Sequence, residues 1–402
     1  MSLIVQKFGG SSVANAERLE NVARLVTDTY REGNSVVVVV SAQGDTTDDL
    51  IAKAHEINDN PSNREMDMLL STGEQISIAL LAMAIEKLGF PVISLTGWQV
   101  GMKTDSNCGR ARIKECSAER IRSELDKKKI VIVAGFQGIN KYDDITTLGR
   151  GGSDTTAVAL AAVLHADCCQ IYTDVEGVYT SDPRRVPNAH KLEEITYDEM
   201  LELASLGAQV LHNRSVEMAK KYNVKMEVLS SFVKVPGTIV KEVCKLEKME
   251  IRGVAKDLNV ARIALMGVAD EPGMAFRVFS ALARKNIDVD IIIQSQGRDG
   301  TNDISFSVTK ESLQPALDLM EEIKDVVKAK EIIYDENVAK ISIVGAGMTS
   351  KPGVAAKMFE ALYEKSINIE MITTSEIKVS VLIRAEDADR ALVAVHDKFI
   401  GA

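Results

Sequence analysis

Five consecutive valines, Val36 to Val40, constrain what this chain can fold into more than any other stretch. A strand that is apolar at every position has no face for water, so it belongs in a parallel sheet covered by helices on both sides. Its neighbours carry the same rhythm. Leu3 to Phe8 alternates as a strand, stops at Gly9-Gly10-Ser11-Ser12, and passes into a helical pattern with Leu19, Val22, Ala23, Val26 and Tyr30 on one face. Further strands are expected at Val92–Leu95, Ile130–Ala134, Cys168–Thr173 and Lys225–Ser230, with helical segments between them. One of those helices is expected to follow Ser71-Thr72-Gly73-Glu74 and to turn Ile76, Ala79, Leu80 and Met83 inward. Strand and helix in alternation define an α/β fold with a mainly parallel sheet.

Such sheets place ligands beyond the carboxyl ends of their strands. The stretch Thr147 to Thr156 has glycines at 149, 151 and 152, then Ser153 and Asp154, then an apolar helical run from Ala157 to Leu164. Glycines let backbone N–H groups approach a ligand, and the helix start adds unpaired donors suited to an anion. Arg150 supplies a planar cationic fork and Asp154 a fixed negative charge. The same residues also fit a plain strand-to-helix turn with Asp154 as its N-cap. Lys7 and Gly9-Gly10 form a second strand–glycine–helix cradle, which is neither a Walker loop nor a dinucleotide fingerprint. Ser41 to Asp48 is a polar loop at the end of the valine strand. Glu74 reads in two ways, as a ligand group or as the acid of a Ser-x-x-Glu capping box. The Thr173 to Arg184 stretch, broken by Pro183, fits either a nucleotide loop or a surface excursion.

Composition narrows the function classes. A net charge of −10 argues against nucleic acid or an anionic membrane as partner. Five cysteines without a C-x-x-C pair give neither a zinc framework nor a disulfide scaffold. The N-terminus reads as a strand rather than a signal peptide, and the apolar runs fall short of a membrane span, so a cytoplasmic protein is expected.

Taken in order, Lys7-Phe8-Gly9-Gly10-Ser11-Ser12, Ser41 to Asp48, Ser71 to Glu74, Gly149 to Asp154 and Thr173-Asp174…Tyr179…Asp182-Pro183-Arg184 resemble the aspartokinases, members of the amino acid kinase family with a carbamate-kinase-like fold. The resemblance implies that Lys7, Phe8, Gly9 and Gly10 hold ATP phosphates, with Ser41, Thr173, Asp174, Tyr179 and Arg184 on the nucleotide side. It implies that Thr47, Glu74, Arg150, Gly151, Gly152 and Ser153 bind L-aspartate, with Lys7, Arg150 and Asp154 at the catalytic centre. Gln209 and Val210 fall where family members commonly carry Lys-Val, so one cation expected to face the ATP phosphates is missing. The residue types suit the implied reaction. A carboxylate nucleophile is already ionised at neutral pH, so the site needs cations, backbone N–H groups and Mg2+ rather than a base. His55, His165, His190, His212 and His396 occupy none of these motifs.

The last third repeats. Glu271-Pro272-Gly273 with Phe279, Ala281-Leu282, Ile287, Ile292 and Ser295 recurs as Lys351-Pro352-Gly353 with Phe359, Ala361-Leu362, Ile367, Ile372 and Ser375. Both copies resemble ferredoxin-like βαββαβ ACT domains, which bind amino acids as effectors; a purely dimerising pair is the alternative. The effector pattern, Asp270, Gly273-Met274-Ala275, Asp290 and Gln294, is kept in the first copy, whereas Thr349-Ser350-Lys351 precedes the second Pro-Gly. Val326 to Ile333 is expected to close the first copy. The second copy has no residues for that strand, and Met249 to Ala255 is spare, so the two units are expected to interlock. The expected division is a catalytic domain at 1–240, a linker at 241–250, a first ACT domain at 262–335, and a second from 251–261 plus 336–402.

The reading is thus an ATP-dependent aspartate kinase, fed back on by lysine and/or threonine and assembled as a homodimer or higher oligomer through its ACT domains. Met249 can also start a separate regulatory subunit. The alternatives are another amino acid kinase, for example on glutamate, and a catalytically silent amino-acid sensor.

Overall fold

The computed structural model describes residues 2–206, 210–242, 251–297, 300–346, 348 and 352–401. They group into two units, Met1–Tyr179 with Lys191–Leu246, and Thr180–His190 with Glu247–Ala402.

In the first unit β1 (Leu3–Phe8) leads through a short 3-10 turn to α1 (Ala16–Arg31), capped by the Asn15 side chain. The valine strand β2 (Ser35–Val40) follows, with Val36 to Val40 all at 0% exposure as a two-sided strand requires. Next come α2 (Thr46–Ile57), α3 (Asn63–Lys87), β3 (Val92–Leu95), β4 (Lys103–Thr104), β5 (Ile113–Glu115), α4 (Glu119–Asp126) and β6 (Ile130–Ala134). The hairpin β7 (Gln137–Ile139) and β8 (Ile145–Thr147) delivers the chain to α5 (Gly152–Leu164) and β9 (Cys168–Thr173). The unit finishes with β10 (Glu194–Thr196), α6 (Tyr197–Ser205), α7 (Asn213–Tyr222), β11 (Met226–Ser230) and β12 (Thr238–Lys241). The main sheet runs β10-β12-β11-β9-β1-β2-β6-β3, parallel throughout except for the β11–β12 pair. A small sheet, β5-β4-β7-β8, stands beside it, built from strands of two or three residues too short to show a period.

Helix α3 corrects two expectations. It begins at Asn63, so Ser71 to Glu74 lies within the helix and no capping box forms there; the Ser71 hydroxyl donates to the Met68 carbonyl instead. The expected inward face points outward, with Ile76 50%, Leu80 39% and Met83 61% exposed. The buried face carries Asp67, Ser71, Glu74 and Ser77 beside Ile78, Leu81 and Ile85. A hydropathy count misreads a helix whose core-facing residues include carboxylates that accept hydrogen bonds from Ala42, Gly109 and Thr147. Its 25 residues would suffice in length and composition to cross a membrane, but these buried carboxylates mark a core helix.

In the second unit β13 (Gly253–Asp257) precedes β14 (Ala261–Ala269), α8 (Met274–Arg284), β15 (Ile292–Gln296), β16 (Thr301–Val308), α9 (Lys310–Ile323) and β17 (Glu331–Asp335). Then β18 (Val338–Val344), α10 (Val354–Glu364), β19 (Met371–Thr374), β20 (Lys378–Arg384) and α11 (Ala388–Phe399) repeat the pattern. The two sheets, β15-β16-β14-β17 and β13-β18-β20-β19, share one strand order. In it β13 pairs antiparallel with β18 in the position that β17 takes beside β14. The strand that closes the first copy lies at Glu331–Asp335, later than the expected Val326 to Ile333.

The 1–240 span expected for the catalytic domain is interrupted. Thr180–His190 belongs with the second unit, where Val186 is fully buried in the core of the second repeat beside Ile341, Met358 and Val395. The buried Val186 shows that this proline-broken stretch is not merely a surface excursion. Residues 243–250, most of the expected linker, lie outside the described residues.

Candidate active site

The site lies at the carboxyl ends of the central strands, where β1 runs between β2 and β9. Lys7 sits one residue from the end of β1, and its Nζ is 2.7 Å from Asp154 Oδ1 in the first turn of α5. Both side chains are about a tenth exposed, so the pair sits in a partly desolvated mouth where charge is weakly screened. Phe8 is buried and stacks on Tyr172 of β9, which holds the end of β1 in place. Beyond it the glycine turn is knitted to the loop after β2. Ser41 N–H donates to the Phe8 carbonyl and Gly44 N–H to the Gly10 carbonyl. A Cβ on Gly10 would stand 2.7 Å from the Ala42 carbonyl oxygen, so only glycine allows this approach. Thr47 lies in the first turn of α2, partly exposed.

Glu74 is brought to the same loop from α3. Its Oε1 accepts the Ala42 N–H at 3.0 Å, while Oε2 is buried without a partner. Burial raises its pKa to about 7, opposed by the backbone hydrogen bond from Ala42. A desolvated carboxylate with one oxygen unused is suited to an arriving cation.

The glycine loop is held from the far side by α7. Gly151, at φ 67°, is the N-cap of α5, and a Cβ there would meet the His212 ring at 2.2 Å. Arg214 donates to the carbonyls of Leu148 and Ala111, at 2.9 and 2.8 Å. These contacts set Gly152 and Ser153, both buried, against Phe136 and Gly135, and leave Arg150 exposed at the rim. Asp154 is not the N-cap; it lies in the first turn of α5, three residues after Gly151. Nothing local in the sequence marks His212 and Arg214, whose part is to hold the loop.

Among the residues expected on the nucleotide side, Thr173 ends β9 and its hydroxyl donates to Asp174 at 3.1 Å, and the Tyr179 hydroxyl is 3.5 Å from the Glu176 carboxylate. Arg184 is grouped apart from these residues. It lies in the Thr180–His190 segment of the second unit, where its guanidinium grips Asp182 through two hydrogen bonds of 2.9 and 3.0 Å. That pairing holds the Asp182 carboxyl below its ordinary value. Gln209 lies outside the described residues, and Val210 follows it partly buried.

In the second unit Asp270, Gly273, Met274, Ala275 and Gln294 line one cavity with Asn302, whose amide donates to Asp270. Asp290 is not part of it. Its carboxylate takes the Lys340 ammonium, which is 7% exposed between Asp290 and Asp257. The symmetry-like counterpart is Arg262 beside Glu370, at 3.6 Å, so the two repeats meet through two reciprocal ion pairs.

A parallel sheet whose strand ends carry two glycine-lined cradles around a Lys–Asp pair defines a small-molecule phosphotransferase, here joined to two effector-type domains. Residues 2–230 match the amino acid kinase family model, and residues 262–328 and 341–399 match ACT domain models. The chain is 51% identical to the aspartokinase of Corynebacterium efficiens, over 99% of this chain and 96% of that one. Among solved structures it resembles Escherichia coli aspartokinase III in complex with aspartate and ADP, with a TM-score of 0.84 and 27% identity over 98% of this chain and 99% of that one. The same enzyme in complex with lysine and aspartate gives a TM-score of 0.76 and 26% identity, over 99% of each chain. The chain belongs to the aspartokinase family.

Proposed function

We propose that the chain transfers the γ-phosphoryl group of ATP to the β-carboxylate of L-aspartate, giving 4-phospho-L-aspartate and ADP. The observation that carries this reading is the pairing of two unlike charge sites on one strand-end surface. Glu74 offers a buried carboxylate with one oxygen unpartnered to the α-ammonium, and Lys7 offers a fixed cation to the phosphates. Arg150 takes the α-carboxylate, with Ser153 and the N–H groups of Gly151 and Gly152 behind it, and Thr47 lies across the site. The acceptor needs no base, so catalysis rests on alignment and on stabilising charge that grows on the transferring group. Lys7 does this directly, and Asp154 fixes the ammonium where it is needed. Gly9 and Gly10 contribute backbone donors, and Ser41, Thr173, Asp174 and Tyr179 border the nucleotide side.

Among the described residues no group of three or more His, Cys, Asp or Glu could hold a metal by itself. That donor set fits Mg2+ held chiefly by phosphate oxygens, with Asp154 and Asp174 as the side chains that would add to it. When bound, Mg2+ offsets negative charge on the phosphates.

The cavity of the first repeat offers a carboxylate at Asp270 and the N-terminus of α8, which suit the ammonium and carboxylate of a free amino acid. Lysine and/or threonine are the proposed effectors. Homo-oligomerisation through these domains would cover β15 and β19, one edge strand of each sheet.

An ADP-release assay with aspartate, with glutamate and with no acceptor tests the reading. Turnover with aspartate alone supports it. Preference for glutamate makes the chain a different amino acid kinase, and no turnover with either makes it a sensor.

A further inference from the structure

We propose that Asp67 is a positioning residue that sets the spacing between Glu74 and the Arg150 loop, and thereby the length of acceptor the site takes. The proposal rests on the aspartate kinase reading above.

Asp67 is at 0% exposure on α3, seven residues before Glu74 on the same buried face. Among the described residues it has no ion-pair partner. Its charge is met by hydrogen-bond donors alone. Gly109 N–H lies 3.0 and 2.9 Å from its two oxygens, Thr147 N–H donates at 3.0 Å and the Thr147 hydroxyl at 2.6 Å. A buried carboxylate without a cation is costly, and an apolar side chain would fill the space without that penalty. What the carboxylate provides is a fixed path for the two backbone segments it holds.

Those segments form the entry to the glycine loop. Thr147 ends β8 and stands three residues before Arg150. Ala111 N–H donates to the Thr147 carbonyl, and the Gly109 carbonyl packs against Gly149, where a Cβ would meet it at 3.1 Å. Arg214 closes the opposite side at Leu148 and Ala111. With these ties made, the chain reaches Arg150 by one route. Helix α3 therefore holds both ends of the acceptor site, Glu74 directly and the Arg150 loop through Asp67, two turns apart or roughly 10 Å of helix axis.

The α-ammonium and α-carboxylate of an amino acid share one carbon, so groups that hold both fix that carbon. The acceptor carboxylate then aligns with the γ-phosphate only if the side chain between has the right number of methylenes. Relaxing the tie at Asp67 lets the Arg150 loop shift, which weakens the hold on aspartate and loosens the penalty on a longer acceptor.

Asp67→Asn turns an amide NH2 toward one of the N–H donors and so breaks part of the tie. Thr147→Val removes one donor and keeps the shape, and Thr147→Ser restores the hydroxyl. In the full-length enzyme Asp67→Asn and Thr147→Val should each raise KM for aspartate about tenfold. The kcat value and KM for ATP should stay within about twofold, and the ratio of kcat/KM for aspartate over glutamate should fall about fivefold or more. Thr147→Ser should match the wild type. Equal changes in both KM values, an unchanged ratio, or Thr147→Ser as impaired as Thr147→Val would overturn the proposal. Should Asp67→Asn not yield soluble protein, the two Thr147 variants decide the matter. A wild type that does not use aspartate overturns the functional reading. One that does, with variants of unchanged ratio, overturns only the role given to Asp67.

Discussion

His396 Nε2 of α11 lies 2.9 Å from the Thr180 hydroxyl, both residues being buried. Thr180 also accepts the Val254 N–H at its carbonyl and donates its own N–H to His190, so the Thr180–His190 segment is tied at its root to β13 and α11 of the second repeat. Asn188 and Arg185 continue the tie, to Asp397 and Asp389. The segment thus belongs to the second unit, although it directly follows Tyr179 of the first in sequence.

Burial lowers the His396 pKa below its ordinary 6.5; Asp397 opposes the shift and His190 reinforces it. The unfolded chain then binds the proton more readily than the folded one. Stability is therefore fully present above the ordinary imidazole value and is lost as the pH falls below it. Melting temperature measured from pH 8 to pH 5 should fall more steeply for the wild type than for His396→Gln. Superimposable profiles would remove this imidazole from the acid sensitivity.

Lys7→Ala deletes the cation proposed to face the phosphates and leaves Asp154 without its partner in a partly desolvated mouth. A loss of roughly 100-fold in kcat is expected, about 3 kcal/mol of transition-state stabilisation. Rates at saturating ATP and aspartate read this directly. A variant changed only in KM for ATP would make Lys7 a ground-state binding group.

Glu74 has to be ionised to hold an ammonium, and burial puts its pKa at about 7. The value of kcat/KM for aspartate should therefore decline as the pH drops below about 7, since that profile reports the free enzyme. Glu74→Gln should flatten that limb and raise KM for aspartate by roughly 10-fold to 100-fold, the cost of a charge-assisted hydrogen bond, with KM for ATP nearly unchanged. Equal loss of both substrates would mean that Glu74 serves the loop at Ala42 rather than the acceptor.

Asp270→Ala removes the carboxylate from the cavity of the first repeat. The variant should lose inhibition by lysine or threonine while its uninhibited kcat stays within about twofold, because an effector acts only through its differential affinity for two states. Initial rates against lysine, threonine and both together provide the test. Unaltered curves would place the effector elsewhere.

The sequence by itself determined the parallel sheet, the order of the motifs and the internal repeat. Each of these is written in local signals: an all-apolar strand at Val36 to Val40, glycines where backbone must approach a ligand, and a Pro-Gly turn recurring before a helix. The Lys7 and Asp154 motifs were legible for the same reason, although 146 residues lie between them and only the pairing of β1 with β9 beside α5 brings them to 2.7 Å. Tertiary structure alone decided which face of α3 is buried. Its inward residues are polar because they hold Ala42, Gly109 and Thr147, and a hydrophobic count has no term for that. It also decided that Arg184 bonds to Asp182 and Asp290 to Lys340, and that Thr180–His190 packs with the second repeat. In each case a residue's partner lies far along the chain or competes with the expected one, and only the folded distances settle which contact forms.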